Sequence, residues 1–61
     1  MERDEAVTVA INMQKYGGSF VRSLGQALSY ADWSNIEKIK IAFPEYWEQY
    51  LNFENKENEN E

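Results

Sequence analysis

The chain has 61 residues, a formal net charge of −5, no cysteine and no histidine. That length allows one domain at most, and so short a chain buries only about 60% of its unfolded surface, which leaves stability marginal unless packing or association helps. Without Cys there are no disulfides, without Cys and His only carboxylates remain as metal ligands, and no apolar run is long enough to cross a bilayer.

Much of the acidity sits at one end. Residues 54–61 carry Glu54, Glu57, Glu59 and Glu61 against Lys56, whereas residues 1–53 hold seven acids and five bases and are close to balanced. The body is therefore neither a strongly basic nucleic-acid surface nor a strongly acidic mimic of one. The N-terminus has no basic stretch leading into an apolar core, so no secretory signal is expected, and the absence of Cys fits a reducing cytoplasm.

From Met1 to Tyr16 two periodicities compete. Val7, Val9, Ile11 and Met13 alternate as in a strand, while Ala6, Ala10 and Met13, with the pair Val7 and Ile11, satisfy helical spacing. Asp4 and Glu5 near the start and Lys15 near the end suit a helix dipole, and a lone strand would lack a partner, so a helix is expected. Gly17-Gly18 ends it, as glycines do where the backbone turns left-handed past a helix. Ser19 is then a good N-cap for a second helix, whose apolar face reads Phe20, Leu24, Ala27, Leu28 and Ala31, widened by Val21. Gly25 within it costs roughly 1 kcal/mol of helix propensity relative to Ala, which is understandable if another helix approaches closely there.

Asp32-Trp33 forms the next turn. Ser34 to Glu37 matches a capping box with Ser34 as N-cap, and Asp32 competes for that role. A third helix would bury Ile36, Ile39 and Phe43, with Lys38 and Lys40 toward its C-terminal end. Pro44 pushes Phe43 away from helical angles and opens a fourth helix, to about Phe53, with Tyr46, Trp47, Tyr50 and Leu51 as its apolar face; alternatively the proline kinks one long helix. From Glu54 no apolar residue remains, so ordering has no burial to offset its entropy. The expectation is an all-α chain: a compact bundle of three to four short helices over residues 1–53 and a disordered acidic tail over residues 54–61.

The segments Tyr16-Gly17-Gly18-Ser19-Phe20-Val21, Ala31-Asp32 and Ala42-Phe43-Pro44-Glu45-Tyr46-Trp47-Glu48-Gln49-Tyr50, with Leu24, Ala27-Leu28, Asn35 and Lys38-Ile39 between them, resemble a pattern in small uncharacterised helical proteins encoded by bacteriophages and prophages. The resemblance spans roughly residues 15–50. It implies a bacterial host cytoplasm as the setting and transfers no activity and no site residue. Small phage proteins of this kind often bind and block a host factor.

No catalytic residue, cofactor-binding residue or metal ligand stands out. The serines have no base partner, and Glu45 and Glu48 share a helix face as solvated acids do. Arg22, Lys38 and Lys40 are the only candidate phosphate contacts on helices two and three, too few and too interspersed with acids to favour nucleic acid. Trp33, Tyr46, Trp47, Tyr50 and Phe53 are of types enriched at interfaces, and helices this short cannot enclose every ring. The expected function is therefore a non-enzymatic protein-binding module, self-associating as a homodimer or higher oligomer; the resemblance implies a phage-derived modulator or inhibitor of a bacterial host or defence protein, and the alternative is a small nucleic-acid-associated regulator using helices two and three. Phe20, Leu24, Leu28, Trp47, Tyr50 and Leu51 are expected to divide between core and interface.

Overall fold

The computed structural model describes residues 2–53, with side chains from Glu5 onward. The described residues form four helices and no strand: α1 (Glu2–Tyr16), α2 (Ser19–Ser29), α3 (Trp33–Ala42) and α4 (Pro44–Leu51). The tail expected over residues 54–61 lies outside the described residues.

The alternation in α1 explains its place in the bundle. Two residues along a helix is a turn of about 200°, so alternate apolar residues fall on opposite sides. Val9 and Met13 lie on one side and are fully enclosed, whereas Val7 and Ile11 lie on the other and stay exposed. Residues Ala6 to Gln14 carry no charge at all, the composition of a helix meant to be covered on several sides. α2 packs along one side of α1 and α4 along another, while α3 meets chiefly α4 and α2, and only thinly. The core consists of Ala6, Val9, Ala10, Met13, Val21, Leu28, Trp47 and Tyr50.

Two glycines set the approach of α2 to α1. A Cβ on Gly25 would stand 2.6 Å from the Met13 Cβ and 2.9 Å from the Ala10 carbonyl oxygen, so backbone meets backbone there, as the expected close approach requires. A Cβ on Gly17 would fall 2.5 Å from a Val21 methyl. Neither Gly17 nor Gly18 has a positive φ. The expected left-handed turn is thus absent, and Gly17 is needed for contact, not for backbone freedom. The buried face of α2 is accordingly Val21, Gly25 and Leu28, with Leu24 partly covered and Phe20 and Ala27 exposed. The apolar stripe expected from Phe20 is rotated because the smallest residue, not the largest, faces the neighbouring helix.

The caps differ from expectation at two points. Gly18, not Ser19, is the N-cap of α2 and offers no side-chain bond. At α3 the competing cap prevails over Ser34: the Asn35 backbone N–H donates to the Asp32 Oδ1 at 3.0 Å, and the helix begins at Trp33. The Ser34–Glu37 capping box does not form. Phe43, at φ −129° and ψ 62°, breaks the chain between α3 and α4, so these are two helices and not one kinked helix. α4 closes at Leu51, with Asn52 as its C-cap. No residue of α3 is fully buried; Ile36 and Ile39 are partly covered against the core, and Phe43 just beyond it is half-buried.

Side-chain bonds fasten α4 to α1. Asn12 is 1% exposed, and its amide Nδ2 donates to the Tyr50 carbonyl oxygen at 2.7 Å. That oxygen belongs to the last turn of α4, where carbonyls lack an intrahelical donor, so α1 supplies the cap from outside. At the other end of α1, the Trp47 indole N–H donates to Glu5 Oε1 at 3.3 Å. The Lys40 ammonium lies 3.6 Å from the same carboxylate oxygen and 5.5 Å from the centre of the Trp47 ring, which draws the end of α3 to α1 and α4.

Candidate functional site

The residues expected to mix core and interface separate clearly. Leu28, Trp47 and Tyr50 are buried, Leu24 and Leu51 are partly buried against the core, and Phe20 is 58% exposed. The structure gathers Phe20 and Tyr50 into a row of rings. Tyr16 stacks on Phe53 at 4.3 Å between centroids, and Phe53 lies 5.7 Å from Tyr50. Tyr50 continues to Tyr46, and Tyr46 meets both Phe20 and Phe43. The row ties α4 to the end of α1 and the start of α2, so most of its rings serve packing, each pair worth about 0.5–1.5 kcal/mol beyond its area. Phe20 and Tyr16, at its two ends, are exposed, Phe20 the more so.

A better-formed recess lies elsewhere. Because α3 barely touches α1, a groove of about 280 Å³ remains between α1, the α2–α3 turn and the first turn of α3. Its floor is made of small residues, Ala6, Ala10 and Ala31, with the buried Leu28 beneath. Val7 and Ile11 form one wall, 52% and 51% exposed, and Trp33 and Ile36 form the other, Trp33 being 52% exposed. Gln14, Ser29 and Asp32 supply polar groups, and Asp32 is the one charged residue among those lining it. Gln14 is held by its amide donating to the Ala10 carbonyl oxygen at 3.1 Å. Such an apolar recess with few polar groups suits the apolar side chains of another protein.

Val7 and Ile11 were not among the expected interface residues. The signal for them was the uncharged run from Ala6 to Gln14, which holds more apolar surface than one helix face can take. Trp33 was recognised by type, but its place on the groove depends on where α3 begins.

Among the described residues no cluster of three or more acidic, His or Cys side chains is placed to hold a metal ion, and no helix is long and apolar enough to cross a membrane. Of the three candidate phosphate contacts, Arg22 and Lys38 are exposed, while Lys40 is engaged with Glu5 and Trp47. No family model matches the chain, and neither a curated protein nor a solved structure shows significant similarity to it.

Proposed function

We propose that this chain is a non-enzymatic protein-binding module whose working surface is the groove between α1 and α3. The observation that supports the reading is that Val7, Ile11 and Trp33, each about half exposed, are gathered around one recess with a floor of small residues. Leaving three such side chains half in water forgoes burial that a small core could use, and exposed apolar patches on small proteins usually mark contacts. The setting, a phage or prophage protein that modulates or inhibits a host or defence protein in the bacterial cytoplasm, rests on the sequence resemblance alone. The nucleic-acid alternative loses weight because Lys40 already serves Glu5 and Trp47.

The test is capture from bacterial lysate on the immobilised chain, with nuclease, in parallel with Ile11→Glu. Retention of a protein by the wild-type chain, undiminished by nuclease and lost with Ile11→Glu, is the expected result. Retention that vanishes with nuclease would replace this reading with the nucleic-acid one.

A further inference from the structure

We propose that residues 6–14 are a conformationally ambivalent segment: helical in the fold, and the strand through which copies of this chain assemble into cross-β fibrils once α1 opens. This holds whatever binds the groove. The sequence of α1 and its structure are in conflict. In the helix the apolar residues are split, Val9 and Met13 being fully enclosed while Val7 and Ile11 stand 52% and 51% exposed. In an extended chain side chains alternate between faces, so Val7, Val9, Ile11 and Met13 all fall on one face, and Ala6, Thr8, Ala10, Asn12 and Gln14 on the other. A strand gathers the whole apolar set that the helix buries only in part.

Composition points the same way. Val7, Thr8, Val9 and Ile11 are β-branched, which makes them weak helix formers and good strand formers. The segment has no charge, proline or glycine, the signature of strands that stack into dry zippers, and Asn12 and Gln14 add amides that bond from chain to chain along such a stack. The flanking charges choose the register. Antiparallel strands paired about Ala10 set Val7 against Met13, Val9 against Ile11, Thr8 against Asn12 and Glu5 against Lys15. Apolar side chains then meet apolar ones and the charge at either end is matched, whereas a parallel stack would line Glu5 against Glu5 and Lys15 against Lys15. The other stretch rich in isoleucine, Ile36 to Phe43, is interrupted by Glu37, Lys38 and Lys40 and followed by Pro44, which oppose such pairing. Tertiary contacts hold α1 helical: Val9 and Met13 pack in the core, Gly25 lies against the Ala10 backbone, and Asn12 donates to the Tyr50 carbonyl. A chain this small is marginally stable, so warming to the midpoint of unfolding releases the segment.

The experiment is quiescent incubation of the full chain at the midpoint of its thermal transition, at high micromolar concentration, followed by thioflavin T emission, infrared spectra and fibre diffraction. Ile11→Lys and Val7→Lys are the segment variants and Ile41→Lys is the control, Ile41 being 74% exposed on α3. All three positions are exposed in the fold, so each variant should keep its helices, which circular dichroism checks. Each is incubated at its own midpoint, so that equal fractions are unfolded. The parent and Ile41→Lys should form fibrils with a strand spacing of about 4.7 Å and the infrared splitting of antiparallel sheet. The segment variants should form them at least about tenfold more slowly, since every added strand would bury an unpaired charge. A parent that melts and recools with no β structure overturns the proposal. So do folded segment variants that assemble at the parent's rate, an Ile41→Lys chain slowed as much as they are, and fibrils of parallel strands.

Discussion

α2 and α3 are nearly equal in length, 11 and 10 residues, and follow one another across a short turn, yet they join the molecule in opposite ways. α2 lies along α1 and buries Val21, Gly25 and Leu28, while α3 buries nothing fully. The difference lies in the size of the residue at the crossing. Gly25 lets the backbone of α2 reach the Ala10 carbonyl of α1. α3 turns the branched side chains of Ile36 and Ile39 toward the core instead, where they are only partly buried. A gap is left on one side and a tight seam on the other. The same central helix thus carries both the tightest seam of the fold and the open groove.

The largest expected effect comes from Trp47→Ala. Trp47 fills the core from α4, donates to Glu5 of α1 and carries Lys40 of α3 over its ring. Truncating a buried Trp costs about 3–5 kcal/mol, comparable to the whole stability of a domain this small. The variant should lack a cooperative thermal transition by circular dichroism. An unchanged melt would mean that α1 and α2 alone hold the fold.

Asn12→Ala comes next. It removes the donor that caps the Tyr50 carbonyl inside the protein, at a cost of about 1–3 kcal/mol. For a domain of this size each kcal/mol lowers Tm by about 4–8 °C. A variant that melts within a degree or two of the parent would show that water reaches the end of α4 and replaces the amide.

Gly25→Ala tests the seam directly, because two effects oppose. The change gains about 1 kcal/mol of helix propensity, yet it places a methyl group 2.6 Å from the Met13 Cβ, and overpacking costs typically about 1–3 kcal/mol. The seam should win, with a net loss of about 1 kcal/mol by chemical denaturation. Ser34→Ala, at an exposed position of α3, should be within about 0.5 kcal/mol of neutral. A stabilised Gly25→Ala would mean that α1 and α2 can part at little cost.

Much of this contrast was legible in the sequence, and its limits are physical. Two helix boundaries followed from Gly17-Gly18 and Phe43-Pro44, which break the helical pattern, whereas at α3 the capping-box pattern pointed to Ser34 and the competing Asp32 proved to be the cap. The close approach at Gly25 followed from the cost of a glycine inside a helix. The rotation of α2 was not legible, because periodicity identifies an apolar stripe without saying which edge of it the neighbour will touch. Phe20 looked like its anchor and lies outside it. The groove was hidden for a similar reason. Val7 and Ile11 have the spacing of core residues, and only the thin contact of α3 leaves them open. Trp47 and Tyr50 were recognised as apolar payload, but their bonds to Glu5 and Asn12 join residues about forty positions apart, beyond the reach of any local pattern.

The most local effect, and the one that most sharpens the comparison, is expected from Asp32→Ala. The Asp32 side chain is the only cap bond holding the first turn of α3, and losing such a cap costs about 1 kcal/mol. Because α3 contributes no fully buried residue, the loss should show most directly in α3 and the groove wall it carries, which can open while the other helices stay folded. The other tie, Lys40 to Glu5, is a half-exposed ion pair with side chains 38% and 41% accessible, and such pairs contribute about 0–1 kcal/mol. α3 is then the unit that opens first, in the sense that parts of a fold with few buried contacts open below the global free energy. Hydrogen exchange reads this out. In the parent the amides of Asn35 to Ile39 should already exchange faster than those of Val9 to Met13 and Leu24 to Leu28, and in Asp32→Ala they should exchange about fivefold or more faster still, as a local loss near 1 kcal/mol requires. Equal protection of all three segments in the parent would show that α3 opens only with the whole molecule. The groove would then be a rigid feature of the fold, not a seam that a partner can widen.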